Sequence, residues 1–152
     1  MKFICDSMLG KLARLLRMCG FDAEYFKSGL TLEILKNLRE RDVIILTRNH
    51  KLTKVGEPLT IFNPDHDNPQ IQLKLVIEKF SLKDNINFLS RCMECNIEII
   101  PIEKSEAKGN VPFYVYDNHD NFFKCPSCGR IYWEGTHVAK MKEKLERIMK
   151  WL

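Results

Sequence analysis

Two pairs of cysteines constrain the fold of this chain more than any other feature of its sequence. Cys92 and Cys95 form one C-x-x-C pair, and Cys125 and Cys128 form another. Each pair can fold as a tight turn that directs both sulfur atoms to one point, so two pairs supply the four ligands of a tetrahedral Zn²⁺ site. Four unrelated buried cysteines rarely show this spacing. Because no coordination position remains for water or substrate, we expect the zinc to stabilise the fold and to take no part in catalysis.

The two remaining cysteines and the N-terminal residues indicate the cellular compartment of the protein. Cys5 and Cys19 lie on the apolar faces of the first predicted strand and helix, as small hydrophobic core residues do. Asp6 interrupts the opening residues, so they lack the apolar core of a signal peptide, and no run approaches the length of a membrane span. We therefore expect a cytoplasmic protein with reduced cysteines and no membrane partner.

The first 84 residues alternate between strand and helix patterns. Short apolar runs predict strands over residues 2–5, 23–26, 43–47 and 59–62. Helical spacing predicts a helix over 8–19, a second capped by Thr31 with an apolar face of Leu32, Leu35 and Leu38, and a third that begins at Pro69 and carries Ile71, Leu73, Val76, Ile77 and Phe80. This alternation predicts an α/β domain with a doubly wound parallel sheet over residues 1–84.

Residues 85–152 have a different pattern, which predicts a zinc ribbon. Alternating segments over 97–102 and 111–116 predict antiparallel strands, which would form a hairpin between the two cysteine pairs. A terminal helix is predicted from about Val138, with an apolar stripe of Val138, Met141, Leu145, Ile148, Met149 and Leu152. We expect this stripe to dock on one of the two units.

Polar residues follow the predicted strands at the edge where α/β sheets bind ligands. Asp6 ends the first strand, Asn49 follows the third, Asp65 and Asp67 follow the fourth, and Glu33 lies in the first turn of the second helix. Converging carboxylates favour a hard cation such as Mg²⁺ or Mn²⁺, which can orient water for attack on a phosphodiester. The same residues also suit helix caps and turns, and their spacing alone leaves both interpretations open.

Basic residues lie beside this edge. Lys11, Arg14 and Arg17 recur every third residue along the first predicted helix, and Arg48 follows the third strand. A cationic stripe beside an acidic crevice suits a nucleic-acid backbone, although such a stripe can also be the solvated face of an amphipathic helix. Arg48 can contact phosphate or pair with a neighbouring carboxylate. The net charge of +4 does not decide whether nucleic acid is the partner.

Several motifs together resemble one known family. They are FICDSMLGKLAR at 3–14, ILTR at 45–48, QL at 72–73, RCMECN at 91–96, CPSCGRIYW at 125–133 and GTH at 135–137. In this order they resemble the Mut-7 C-terminal RNase domain family, which combines a PIN-like fold with a zinc ribbon. The likeness covers nearly the whole chain.

The resemblance implies a metal-dependent ribonuclease that cleaves RNA with Mg²⁺ or Mn²⁺. By matching position, Asp6 would be the first metal ligand, Glu33 the acid borne by a helix, and Asp65 or Asp67 the last acid. The family usually carries aspartate where this chain has Asn49, which offers a neutral oxygen and no negative charge. The ribbon would position RNA or a ribonucleoprotein partner such as a ribosomal component.

Two other functions remain open at this stage. Asn49 favours a catalytically degenerate protein that binds RNA or serves as a ribonucleoprotein scaffold. A structural module whose ribbon recruits another protein is the third possibility, and the basic stripe argues against it.

Overall fold

The structure, a computed structural model, describes residues 1–39 and 41–150. Its β-strands are β1 (Lys2–Cys5), β2 (Asp22–Tyr25), β3 (Val43–Leu46), β4 (Thr60–Phe62), β5 (Ile100–Ile102), β6 (Phe122–Lys124) and β7 (Ile131–Tyr132). Within the described residues there are seven α-helices: α1 (Gly10–Met18), α2 (Leu32–Leu38), α3 (His50–Thr53), α4 (Pro69–Lys79), α5 (Lys104–Ala107), α6 (Phe113–Asn118) and α7 (Thr136–Met149). A short 3-10 helix over Ser7–Leu9 precedes α1.

The first four strands form a parallel sheet in the order β2-β1-β3-β4. Cys5 pairs with both Tyr25 and Leu46, and Leu46 pairs with Phe62, so the last residues of all four strands lie side by side. The residues that follow these strands must therefore emerge along one edge of the sheet. This edge is the place where open α/β sheets bind their ligands.

Both faces of the sheet are covered by helices, which confirms the predicted doubly wound α/β fold. Side chains alternate along a strand, and accordingly Phe3 and Cys5 pack into one core while Ile4 packs into the other. The first core includes residues of α1, α4 and α7, and the second includes residues of α2 and α3. Strands buried on both faces explain the continuous apolar run at β3.

The apolar face that the sequence predicts for α2 differs from the structure at one residue, Leu32. Thr31 caps α2 as expected, with its hydroxyl accepting from the Ile34 N–H at 3.2 Å. Leu35 and Leu38 are buried, but Leu32 is 58% exposed, so the predicted apolar face was wrong at this residue. Leu30, which precedes the helix, fills that part of the core instead.

The strands of the zinc ribbon differ from the prediction. Residues 111–116 do not form a strand: α6 begins at Phe113, and Pro112 suits a helix start because it lacks an N–H. The helix buries Val115 against Phe122. The predicted strand over 97–102 is present as β5, but its antiparallel partner between the cysteine pairs is β6, and residues 111–116 are not that partner.

The terminal helix docks on the α/β unit. Leu145 and Met149 of α7 are buried in the same core as Phe3, and Met141 packs at its margin. The amphipathic stripe is thus part of a hydrophobic core, as the pattern predicted, although Leu152 lies outside the described residues. The proposed division near residue 84 remains a prediction, because α7 belongs in sequence to the second unit and packs on the first.

Within the described residues, no helix combines the length and the apolar character needed to cross a membrane.

Candidate functional site

The four predicted zinc ligands converge in the structure. The Sγ atoms of Cys92, Cys95, Cys125 and Cys128 all lie within 4.8 Å of one another. Zn–S bonds of about 2.3 Å in a tetrahedron place sulfur atoms about 3.8 Å apart, and the Cys92 and Cys128 Sγ atoms are 3.8 Å apart. The cluster therefore has the ligands and the spacing of a closed structural zinc site.

The two cysteine turns are built alike. In each, the N–H of the second cysteine points at the sulfur of the first, at 3.4 Å in the Cys92 turn and 3.5 Å in the Cys125 turn. Each turn ends on a residue with positive φ, Asn96 at 58° and Gly129 at 75°. The N–H of that residue donates to the carbonyl of the first cysteine at 2.9 Å in both turns. Asparagine and glycine tolerate this left-handed conformation, which closes the turn.

Hydrogen bonds prepare one cysteine for metal binding. Burial raises the pKa of the Cys92 thiol, but hydrogen bonds from Tyr132 and from the backbone N–H groups of Cys95 and Glu94 outweigh it and lower the pKa to about 7. The Tyr132 hydroxyl lies 3.0 Å from Cys92 Sγ and accepts from the Met93 N–H at 3.1 Å. Tyr132 therefore attaches β7, which follows the second cysteine turn, to the first cysteine turn.

The first cysteine turn is also attached to the parallel sheet. Asn96 accepts from the Ala23 N–H at 3.0 Å and donates to Asp22 at 2.7 Å, so it covers the free edge of β2. Arg17 donates to the carbonyls of Ala23 and Met93, both at 2.8 Å. Through these contacts the zinc site holds the ribbon against the α/β unit.

The residues of the predicted basic stripe have different environments in the structure. Arg17 is half-buried and held by two carbonyls, whereas Arg14 is exposed and pairs with Glu94 at 2.7 Å. The Arg14 hydrogen bond lowers the pKa of Glu94. Lys11 is exposed and has no ion pair within the described residues. Lys11 and Arg14 thus remain accessible, and Arg17 has a structural role.

Asp6 occupies the edge of the parallel sheet. It is buried, with 7% of its surface exposed, and follows the central strand β1. Its Oδ1 accepts from the N–H groups of Ser7 at 2.7 Å and Leu30 at 2.9 Å, and its Oδ2 accepts from the Thr47 hydroxyl at 2.6 Å. The first contact is the helix cap that the sequence allowed. The other two attach Leu30, which precedes α2, and Thr47, which follows β3, to Asp6.

Asn49 is connected to Asp6 through Thr47. The Asn49 N–H donates to Thr47 Oγ1 at 3.0 Å, and the same hydroxyl donates to Asp6. The Asn49 side chain is exposed and caps α3 by accepting from the Lys51 N–H at 3.0 Å. Thr47 was missed by the sequence analysis, because a threonine at the end of a buried strand gives no sign of its hydrogen-bond partner.

Asp65 and Asp67 both form ion pairs with Arg48, the residue that follows Thr47. Arg48 donates to Asp67 at 2.8 Å and to Asp65 at 3.3 Å. The hydrogen bond from Arg48 lowers the pKa of Asp67, and the same bond raises the pKa of Arg48. Both carboxylates are largely exposed. Arg48 therefore pairs with carboxylates, which was one of its two predicted roles.

Glu33 is not joined to these residues. It is exposed in the first turn of α2, and within residues 1–39 and 41–150 it makes no side-chain hydrogen bond or ion pair. Across the same residues, the cysteines form the one group of three or more His, Cys, Asp and Glu side chains close enough to share a metal. Within the described residues, the acids that follow the strands are therefore not assembled as a closed metal site.

A second residue at this edge was missed by the sequence analysis. Asn63 follows β4, and its side-chain oxygen is buried without a hydrogen-bond partner among the described residues. A buried acceptor without a donor is costly, and a cation or an ordered water relieves the cost. Asp6, Asn49 and Asn63 offer carboxylate and amide oxygens, which fit the ligand preference of Mg²⁺ and Mn²⁺.

The fold and the sites define a class of protein: a mixed α/β unit with a four-stranded parallel sheet, joined to a ribbon with a four-cysteine zinc site. A family model described as the Mut7-C RNAse domain matches residues 1–145. The chain belongs to this family, as its motifs indicated, and the family's description implies RNA as the substrate. Searches of curated proteins and of solved structures gave no match.

Proposed function

We propose that this protein is a ribonuclease that uses Mg²⁺ or Mn²⁺ at the carboxyl edge of its parallel sheet. The observation that carries the proposal is the environment of Asp6. A carboxylate buried to this degree and held by three hydrogen bonds keeps a fixed position beside an edge where ligands bind. Its Oδ2 receives one hydrogen bond, so lone pairs remain for a cation.

The neighbouring residues have distinct parts in this proposal. Thr47 orients Asp6 and connects it to Asn49, while Asn49 and Asn63 provide neutral oxygens. Glu33, Asp65 and Asp67 add negative charge around the edge, and Arg48 keeps the last two in place until an anionic substrate competes for the guanidinium. A bound divalent cation would polarise the phosphodiester and lower the pKa of a water molecule.

The direct test is cleavage of a mixed pool of RNA by the zinc-loaded protein with added Mn²⁺. Asp6→Asn keeps the shape of the side chain and its acceptor for the Ser7 and Leu30 N–H groups, but it removes the charge. We expect cleavage to fall at least about 100-fold, as for loss of a group central to catalysis. Asp42→Asn is the matched control, because Asp42 is exposed at the opposite end of β3. Full cleavage by Asp6→Asn, with zinc content unchanged, would refute the proposal.

One observation favours an alternative, a degenerate protein that binds RNA or scaffolds a ribonucleoprotein. Asn49 brings no charge to the edge, and Arg48 pairs with both Asp65 and Asp67. Restoring the charge with Asn49→Asp separates the two functions. If the wild type binds RNA without cleaving it and Asn49→Asp cleaves, the natural protein is the degenerate form.

A further inference from the structure

A groove runs between three helices on the side of the molecule that carries the zinc ribbon. It has a volume of about 510 Å³ and lies between α1, the start of α4 and α7. Its floor is apolar and includes Met18 and Met141. Gln70 of α4 reaches across to Met141, with its Nε2 3.9 Å from the sulfur, which brings the start of α4 against α7.

The walls of this groove are basic. Lys11 and Arg14 come from α1, and His137 and Lys144 come from α7. No carboxylate lines the groove in the described part of the chain, and Lys11 and Lys144 have no ion pair there. Arg14 is partly neutralised by Glu94, which lies beside the groove. A concave surface lined by one sign of charge concentrates its field on a ligand of the opposite sign.

The groove begins at the proposed active-site edge. Its residues Asn68 and Pro69 follow Asp67 directly, and α1, which carries Lys11, follows Asp6 through one short 3-10 helix. A polymer bound at the edge can therefore continue into the groove without leaving the surface.

The other end of the groove opens on a second cavity, in the zinc ribbon. Met93 and His137 line both spaces, so the two adjoin at these residues. The second cavity has a volume of about 850 Å³ and contains Trp133, which is half-buried. A Cβ on Gly135 would lie 2.9 Å from Trp133 Nε1, so the absence of a side chain at Gly135 gives the indole its position.

We propose that the groove and the adjoining cavity form the path of single-stranded RNA, with phosphates bound by Lys11, Arg14 and Lys144 and a base stacked on Trp133. The proposal rests on the ribonuclease function above and adds the path of its substrate. Phosphate contacts explain the cationic groove, and stacking on an aromatic ring gives a role to the half-buried indole of Trp133 in the adjoining cavity. A duplex would hold its bases inside the helix, so the partner is single-stranded.

The test is binding of a fluorescent single-stranded RNA of about 15 nucleotides to zinc-loaded protein, without added Mg²⁺ or Mn²⁺ so that binding is read apart from cleavage. The variants Lys11→Gln and Lys144→Gln remove one charge each from exposed positions and should leave folding intact. Lys140→Gln is the matched control, because Lys140 is exposed on α7, the helix that carries Lys144, and lies outside the groove.

We expect each groove variant to weaken binding about 3- to 10-fold and to reduce the salt dependence of log K by about 0.7, the value for one phosphate contact to a single strand. Trp133→Phe should weaken binding less than Trp133→Leu, since loss of stacking costs about 1–3 kcal/mol per base, which is about a 5- to 150-fold change. Lys140→Gln should bind as the wild type does. In cleavage assays the lysine variants should raise KM and leave kcat unchanged.

The outcomes separate this inference from the proposed function. Wild-type affinity and salt dependence in both lysine variants, with cleavage still present, would overturn the RNA path and leave the ribonuclease proposal standing. Weaker binding in these variants, without cleavage by the wild type, would support the path and refute the nuclease. A wild type that does not bind the RNA would refute both.

Discussion

The hydroxyl of Thr47 should contribute measurably to stability, because it is fully buried between two polar groups at the sheet edge. It donates to Asp6 Oδ2 at 2.6 Å and accepts from the Asn49 N–H at 3.0 Å. Thr47→Val keeps the volume and removes the hydroxyl. A hydrogen bond to a charged group contributes about 1.5–3 kcal/mol, and Asp6 Oδ2 has no other donor among the described residues. The Asn49 N–H can hydrogen-bond to water instead, because Asn49 is exposed. The loss of this second hydrogen bond therefore lowers stability less.

We therefore expect Thr47→Val to lower the free energy of unfolding by about 2–3 kcal/mol. With a urea m-value of about 2 kcal/mol/M, the midpoint should fall by about 1–1.5 M. The assay is urea unfolding of zinc-loaded protein, followed by circular dichroism. Thr60→Val makes the same chemical change at an exposed residue of β4 and should shift the midpoint little. A Thr47→Val midpoint equal to that of Thr60→Val would refute the reasoning about Asp6.

Three other predictions concern the cysteines and the junction between the units. The protein should hold one zinc ion per chain, which Cys125→Ser should abolish and Cys19→Ser should retain, as read by atomic absorption. Burial raises the pKa of Cys5 and Cys19 from 9.0 to about 12. Unfolded thiols ionise above pH 9 while the folded ones stay protonated, so stability should fall as pH rises from 9 towards 12, by about 2 kcal/mol per thiol at pH 10.5. Urea unfolding should show a weaker decline in a Cys5→Ala, Cys19→Ala double variant. Arg17→Met should destabilise the protein by about 1–3 kcal/mol, because it leaves two carbonyls without their donors, and it should not alter the salt dependence of RNA binding.

The elements that could be predicted are those whose signal is local. The C-x-x-C spacing defines each cysteine turn by itself, and the apolar run at β3 reports burial on both sides of one strand. Pro69 and its neighbour Asn68 start α4 through backbone geometry and capping alone. Such features need no knowledge of the rest of the fold.

The features that could not be predicted depend on partners that are distant in sequence. Residues 111–116 are rich in β-branched and aromatic residues, which favour a strand. Phe113–Asn118 instead form a helix, and this helix packs Val115 against Phe122, a partner that the local pattern does not reveal. Arg17 has the spacing of a surface stripe, but its partner, the Met93 carbonyl, is brought near by the zinc ribbon.

The candidate active site shows the same limit. The sequence indicated which polar residues follow the strands, since strand ends can be read from the apolar pattern. It left open whether Arg48 pairs with carboxylates or contacts phosphate, and it could not indicate that the buried Asn63 oxygen has no donor among the described residues. Both depend on where side chains point in the separate loops that follow β3 and β4.

The most direct test of the central claim is a calorimetric titration of Mn²⁺ into zinc-loaded wild-type protein and into Asp6→Asn. We predict saturable binding by the wild type and by the Asp42→Asn control, lost in Asp6→Asn, with RNA cleavage rising in proportion to the occupied fraction. If Mn²⁺ does not bind, or binds equally well to Asp6→Asn, the sheet edge is not a catalytic metal site and the account of a metal-dependent ribonuclease is wrong.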